Sequence, residues 1–243
     1  MDNITTVALS RIVAQDRALD VTAGNLANAG TPGFRAERML FTAWLAQEPR
    51  GGPIAYAQDQ ATFRDPAPGT RRITGNPLDI AIGDAEGWFT VQTPRGPRLT
   101  RAGQFRLDAG GAVVDALGDP LLDVNGRPLQ TAPTDTRLTV AADGTLASEA
   151  GPIGRIGVVR PDNADRMTAE GGTLFAAAAP TSPLAAPQLL QGAVEDSNVQ
   201  PIRELTHMMQ MMREFQFATQ MVEAENTRQT DAIDKIASGI AQG

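Results

Sequence analysis

The 243-residue chain has 28 acidic and 21 basic residues and a formal net charge of −7. With no visible basic patch, this balance argues against a nucleic-acid-binding protein, because phosphate recognition depends on clustered lysines and arginines. The chain has no cysteine and one histidine, which excludes a disulfide framework, a cysteine nucleophile and a histidine-rich metal site.

Residues 2 to about 29 predict a long helix. They contain no proline, and two rows of positions advance by steps of three and four residues, which places each row on one helix face. The rows are Ile4, Val7, Arg11, Ala14, Ala18, Val21 and Asn25, and Ala8, Ile12, Gln15, Leu19, Thr22 and Leu26.

No leader-like apolar run and no stretch of ~20 apolar residues is present. This predicts a cytoplasmic protein without a membrane span, or one that leaves the cell without leader cleavage.

An abrupt stop follows this helix. After Asn28 the chain reads Gly30-Thr31-Pro32-Gly33-Phe34, and glycine and proline are the strongest local helix breakers. We expect the stop to hold the next domain at a fixed distance from the helix, with Phe34 folding back against the exit. An ordinary helix-to-strand turn is the alternative.

Residues 36–192 predict an antiparallel all-β domain. Short strand-like runs recur every 8 to 12 residues or so between glycine-rich and proline-rich turns. The predicted strands are 78–82, 88–93, 104–107, 112–115, 121–124, 137–140 and 156–159. The alanine- and proline-rich run 176–187 is interpreted as an exit linker.

Helical periodicity returns from about 198 to 238. Ser197 or Asn198 can cap this helix, and Ser197 with Gln200 fits a capping box. One row of the helix contains Leu205, Met209, Met212, Gln216 and Thr219, and the other contains Met208, Met211, Phe215, Ala218 and Val222. The layout predicts an α+β fold with domains 1–35, 36–192 and 193–243, in which the two end helices pack as a coiled-coil-like pair or bundle.

Both end helices carry apolar or small residues on more than one face. Because isolated helices depend on packing for stability, the surplus surface predicts contacts with neighbouring subunits, most simply identical copies. The candidate interface residues on the helices are Ile4, Val7, Leu19, Leu26, Leu205, Met208, Met212, Phe215 and Val222. Those at the helix ends are Asn28, Pro32, Gly33, Phe34, Asn198 and Val199.

Four stretches, in this order, resemble the bacterial flagellar rod and hook family. They are Asn25-Leu-Ala-Asn-Ala-Gly-Thr-Pro-Gly-Phe34, Thr74-Gly-Asn-Pro-Leu-Asp-Ile-Ala-Ile82 with Gly87-Trp-Phe89, Leu99-Thr-Arg-Ala-Gly-Gln-Phe105, and Glu195-Asp-Ser-Asn-Val199 with the helix after it. The chain length and the stretches Met1-Asp-Asn3 and Gln60-Ala-Thr-Phe-Arg-Asp65 resemble proximal-rod members most, and distal-rod members are the alternative.

The resemblance implies a structural subunit of the flagellar basal-body rod. Such subunits pass through the flagellar type III export apparatus, polymerise in the periplasm with copies of themselves and with neighbouring rod proteins, and form a hollow shaft that transmits torque. Their end helices become ordered on assembly. A monomeric periplasmic binding module with a helical stalk is the competing hypothesis.

The remaining motifs favour structural roles. Met208, Met209, Met211 and Met212 at helical spacing are more typical of apolar packing than of copper binding. Asp123-Val-Asn-Gly126 is too short for a calcium loop, and no helix follows Gly83, Gly87, Gly110 or Gly111 as a phosphate loop requires. Paired catalytic carboxylates are the alternative, but the aspartates lie mostly beside turn residues without converging polar partners, so we expect no enzyme activity, no cofactor and no metal.

Overall fold

The computed structural model describes residues 2–46, 54–132, 135 and 137–240, with side chains at 9–40, 62–132, 135, 137–164 and 166–235. Helix α1 spans Asp2–Ala27 and helix α2 spans Pro201–Ile240, each within a few residues of the predicted bounds. The described residues between them form strands β1 Glu37–Ala46, β2 Ile54–Arg64, β3 Arg71–Ile73, β4 Ile80–Ile82, β5 Trp88–Thr93, β6 Gly96–Thr100, β7 Arg106–Leu107, β8 Val113–Val114, β9 Thr139–Val140, β10 Thr145–Ser148, β11 Gly151–Arg155, β12 Val158–Pro161, β13 Thr168–Ala169, β14 Leu174–Ala176, β15 Thr181–Pro183, β16 Leu189–Gln191 and β17 Ala193–Glu195. Two helices around antiparallel sheets confirm the predicted α+β class.

The chain forms two compact units. Unit 1 comprises Met1–Ala27, Glu37–Phe63 and Gln200–Gly243, so it contains both helices and most of the two-stranded sheet β1-β2. Unit 2 comprises Asn28–Ala36 and Arg64–Val199. Residues 37–63 thus group with the helices rather than with the rest of the region 36–192. Within this unit, Asn25 of α1 is hydrogen-bonded to the first residue of β1.

The core of unit 2 is organised by a six-stranded sheet in the order β13-β14-β6-β5-β12-β15. Alternate residues of β5 point to opposite faces, as expected of a strand. Phe89 and Val91 enter the main apolar core, whereas Trp88 packs on the other face with Leu99 and Phe175. Two further small sheets, β16-β4 and β17-β3, join the end of unit 2 to its beginning.

Three turns of one type follow each other between β7 and residue 130. In each, an aspartate Oδ1 accepts the backbone N–H groups of the residues two and four positions later, and the residue three positions later is glycine. The aspartates are Asp108, Asp115 and Asp123. Each aspartate side chain thus accepts hydrogen bonds from the backbone amides of its own turn. This is the physical reason that aspartate followed by glycine indicates a turn here.

Three sequence predictions need correction. Residues 176–187 are not simply a linker, since they contain β15, which pairs with β12 at the edge of the six-stranded sheet. Pro183 is tolerated in an edge strand because one side of such a strand needs no backbone N–H donor. Residues 121–124 pair only through isolated bridges, although Leu121 and Leu122 are buried. The proposed capping box is also wrong: α2 begins at Pro201, and the Ser197 hydroxyl accepts the N–H of Val199.

Candidate functional site

The two predicted rows of α2 differ in exposure. Met211 and Ala218 are buried, and Met208, Phe215 and Val222 are half-buried. We call these five the buried row; its steps of four and three continue to the buried Glu204 and the half-buried Glu225. In the other row Leu205, Met209 and Met212 are each about half exposed, at 45, 51 and 48%. We call these three the exposed row.

Helix α1 has a small and partly polar inner face. Ala14, Gln15, Thr22 and Asn25 are buried, and Leu19 and Leu26 are half-buried, whereas Leu9 and Val13 are exposed. Ile4 and Val7 lie within α1, but their side chains fall outside the described residues. Small and polar residues at the inner positions leave little apolar area buried, so this face stabilises the helix weakly.

Polar contacts join the elements of unit 1. The Asn25 amide donates to the carbonyl of Glu37 at 2.8 Å and accepts the N–H of Glu37 at 2.8 Å, imitating a strand pairing. Arg38 binds the buried Glu204 of α2 at 2.7 Å. Arg11 and Glu214 connect α1 and α2 at 3.3 Å, but both are exposed, so this pair stabilises little.

The predicted helix stop is a hydrogen-bonded turn in unit 2. The N–H and hydroxyl of Thr31 donate to the backbone carbonyl and side-chain oxygen of Asn28, at 3.1 and 3.2 Å, and Phe34 N–H donates to the Thr31 carbonyl at 3.2 Å. Pro32, at the turn, is half-buried. These local bonds replace the helical ladder after Ala27.

Gly33 makes the closest approach in this turn. Its φ is +72°, and its N–H donates to the backbone carbonyl of Glu195 at 2.7 Å. A Cβ at this position would lie 2.3 Å from the amide nitrogen of Ala102. Only glycine fits both the backbone angle and the space.

Phe34 packs where the sequence predicted it would fold back. It forms a small apolar cluster with Ala36 and Val199, and Ala29 packs against them. The Arg64 guanidinium lies over the Phe34 ring at 5.3 Å and over the Phe175 ring at 4.8 Å. A cation over two aromatic faces adds attraction to the apolar packing.

Asn198 connects three stretches of unit 2. Its side-chain oxygen accepts the N–H of Ala36 at 2.7 Å, and its amide donates to the carbonyls of Ala67 at 2.9 Å and Asp65 at 3.3 Å. The sequence singled out Asn198 as a cap and an interface residue. In the structure its side chain is hydrogen-bonded to backbone groups of residues 36, 65 and 67, which lie outside the strands.

A buried ionic cluster lies beside these residues. Glu195 Oε1 is 2.9 Å from Arg35 Nη2, and its Oε2 is 2.8 Å from Arg101 Nη2. The three side chains are only 3, 3 and 1% exposed. Burial lowers the pKa of both Arg35 and Arg101, and the Glu195 charge partly offsets this. Each guanidinium also donates to backbone carbonyls, Arg35 to Pro66 and Ala67 and Arg101 to Asp84 and Gly87.

Sequence reasoning did not identify this cluster. Arg101 and Glu195 stand out in the sequence only as members of two separate family motifs, and Arg35 does not stand out. The available signal was a charged residue within otherwise apolar or small stretches, such as Leu99-Thr-Arg-Ala-Gly. A single sequence does not reveal that residues 35, 101 and 195 meet.

The residues that the structure describes include neither a metal-binding cluster nor a membrane-spanning helix. They contain no group of three or more histidine, cysteine, aspartate or glutamate residues suited to a metal ion. None of their helices combines the length and apolarity needed to cross a membrane. His207 is exposed on α2. The candidate site consists of the helix surfaces and the contacts at the helix ends described above.

Three family models match the chain in succession. They are "Flagella basal body rod protein" at residues 6–35, "Flagellar hook protein FlgE/F/G D1 domain" at 82–148 and "Flagellar basal body rod FlgEFG protein C-terminal" at 190–234. The chain is 32% identical to the flagellar basal-body rod protein FlgF of Caulobacter vibrioides, over 97% of this chain and 98% of that protein. It is 32% identical to FlgF of Mesorhizobium japonicum over 98 and 99%, and 30% identical to FlgG of Bacillus subtilis over 84 and 88%.

Proposed function

The chain belongs to the family of flagellar basal-body rod proteins, and on that premise we propose how it works in the rod. It is an FlgF-like structural subunit of the flagellar basal body, and proteins of this family assemble with other rod subunits. We assign it to the proximal rod. A distal position is the alternative, because relatives named FlgG also match most of the chain.

In this proposal the subunit polymerises into a hollow shaft that carries torque and passes exported subunits. α1 and α2 pack as a coiled-coil-like pair. The burial of α2 at steps of four and three residues supports this pairing, because that spacing keeps one seam facing a partner helix.

The exposed row is the observation that carries the proposal. Leu205, Met209 and Met212 have the spacing of an apolar seam, yet about half of each side chain is exposed. Ile202 at 82% and Phe217 at 70% enlarge the apolar surface of the same helix. Apolar surface of this kind marks an interaction site, and the proposed occupants are copies of this chain and neighbouring rod proteins.

The residues at the helix ends have a different proposed role. Asn28, Pro32, Gly33, Phe34, Asn198 and Val199 hold the beginning and end of unit 2, and the helix surfaces make the contacts between subunits. The proposed route to the rod is the flagellar type III export apparatus. No catalytic step and no cofactor belong to this mechanism.

A charge placed on the exposed row tests the proposal. We expect Leu205→Glu and Met209→Glu each to leave the helical circular dichroism of the purified subunit unchanged, since both side chains are already exposed. Each should abolish swimming and remove the protein from isolated basal bodies, because a carboxylate would be buried in the subunit interface.

Gln210→Glu is the matched control. It adds the same charge at an exposed position of the same helix that no step of three or four residues joins to Leu205, Met209 or Met212, and it should swim normally. Normal swimming and normal incorporation of both Leu205→Glu and Met209→Glu would contradict the proposal and favour a monomeric module whose helices form a closed stalk.

A further inference from the structure

The chain crosses between the two units four times, after residues 27, 36, 63 and 199. Three segments of unit 2 adjoin all four crossings: residues 28–36, 64–69 and 195–199. In the described structure they share no strand pairing with one another, and single backbone bonds connect them, such as those from Gly33 N–H to the Glu195 carbonyl and from Asp65 N–H to the Ala36 carbonyl. Side chains supply the other contacts: Asn198, as described above, and Glu195.

The Glu195 carboxylate contacts both of the other segments. Its Oε1 forms an ion pair with Arg35, in residues 28–36. The same oxygen accepts a hydrogen bond from the N–H of Gly69, in residues 64–69, at 3.2 Å. The Glu195 backbone carbonyl accepts the N–H of Gly33 at 2.7 Å. Arg35 in turn donates to the carbonyls of Pro66 at 3.0 Å and of Ala67. All three segments thus meet at one residue.

The remaining carboxylate oxygen connects this meeting point to the rest of unit 2. Oε2 accepts from Nε and Nη2 of Arg101, at 3.0 and 2.8 Å, and the same guanidinium donates to the carbonyls of Asp84 and Gly87. These are the loop and the residue that precede β5, the strand whose Phe89 and Val91 lie in the main core. Glu195 therefore joins the three segments to a rigid part of the unit.

We propose that Glu195 is a positioning residue that locks the three segments together in the free subunit, so that the four points at which the chain leaves or enters unit 2 are held in place within that unit. A buried carboxylate between two guanidinium groups suits this role, because charge-assisted bonds are directional and removing one partner leaves a buried charge uncompensated. The proposal goes beyond assembly, since the lock is complete within one chain.

Hydrogen exchange measured by mass spectrometry on the purified full-length subunit tests it. In Glu195→Gln we expect the amides of Gly33 and Gly69, with their neighbours in residues 33–36 and 66–69, to exchange about tenfold faster or more. The amides of Val91 and Leu121, two buried residues of the main apolar core, should keep their protection.

A second ionic cluster provides the control. Glu170 binds Arg98 at 2.8 Å and Arg95 at 3.0 Å, so it also places one carboxylate between two arginines, but near the surface of the six-stranded sheet. Glu170→Gln removes the same charge from the same unit. It should leave exchange in residues 33–36 and 66–69 as in the unchanged protein.

Arg35→Met keeps the test decisive if Glu195→Gln does not fold. This variant leaves Arg101 paired with Glu195, so no unpaired charge remains. The amides of residues 33–36 and 66–69 should exchange faster, while the bonds of Arg101 persist. Unchanged protection of those residues in the folded variants, or equal acceleration throughout unit 2, would overturn the proposal. Because the free subunit is measured, the result is independent of whether the exposed row mediates assembly.

Discussion

Replacing Gly33 with alanine tests the close approach at the end of the first helix. The backbone there has a φ of +72°, which costs an alanine about 1–2 kcal/mol. The new carbon would lie 2.3 Å from the Ala102 nitrogen and from the Arg101 carbonyl carbon. The two backbones would have to separate by about 1 Å, an overpacking that costs about 1–3 kcal/mol. The bond from Gly33 to the Glu195 carbonyl would be lost as well, at about 1 kcal/mol.

These contributions predict that Gly33→Ala lowers the free energy of unfolding by about 3–6 kcal/mol. Gly75→Ala is the matched control, because Gly75 has a φ of +76° and a Cβ added there would meet nothing within 4 Å. It should cost about 1–2 kcal/mol, the backbone penalty alone. Urea unfolding followed by tryptophan fluorescence, to which the buried Trp88 contributes, measures both. Equal losses in the two variants would refute the argument from close approach.

Three further predictions follow from single contacts. Asn198→Ala should lower the unfolding free energy of the β-rich unit by about 2–3 kcal/mol in urea, because the N–H of Ala36 loses its acceptor; a loss below about 0.5 kcal/mol would contradict this. Met211→Ala should lower the free energy of unfolding, measured by the thermal loss of helical circular dichroism, by about 2–4 kcal/mol. Met212→Ala, at an exposed position, should lower it by less than about 0.5 kcal/mol. Similar losses in the two variants would contradict the difference between the two rows. Hydrogen bonds from Arg228 and then Gln229 lower the pKa of Glu225 from 4.5 to about 2. The stability that the Glu225 carboxylate gives to helix α2 should therefore be complete above pH 4.5 and be lost as the pH falls to about 2. Titration of the helicity from pH 4.5 to about 2 should show this loss in the unchanged protein and not in Glu225→Gln; identical titration curves would contradict the prediction.

The end helices were predictable because their signal is local. Steps of three and four residues and the Gly-Thr-Pro-Gly stop lie within one stretch of chain, and the structure has α1 and α2 close to the predicted bounds. Which row of α2 is buried was not predictable. Leu205 and Met208 are equally apolar in sequence, and only the packing of other elements distinguishes them.

Strands were predicted best where turn chemistry bounds them. β5 matches its predicted range because a glycine precedes it and a tight turn follows it. The strands β1 and β2 were missed although they contain 10 and 11 residues, since runs that mix apolar and polar residues without a clear period do not separate strand from helix. The ionic cluster depends on contacts between residues more than 60 positions apart, which a single sequence does not encode in any local pattern.

The two small sheets β16-β4 and β17-β3 have a consequence for the order of folding. They pair Ile82 with Leu189 and Arg71 with Glu195, more than 100 residues later. The turns at Asp108, Asp115 and Asp123, by contrast, close within a few residues and carry little loop-closure entropy. The first two-thirds of the polypeptide can therefore form these turns by itself, but β3 and β4 gain their strand partners only from the last quarter of the molecule.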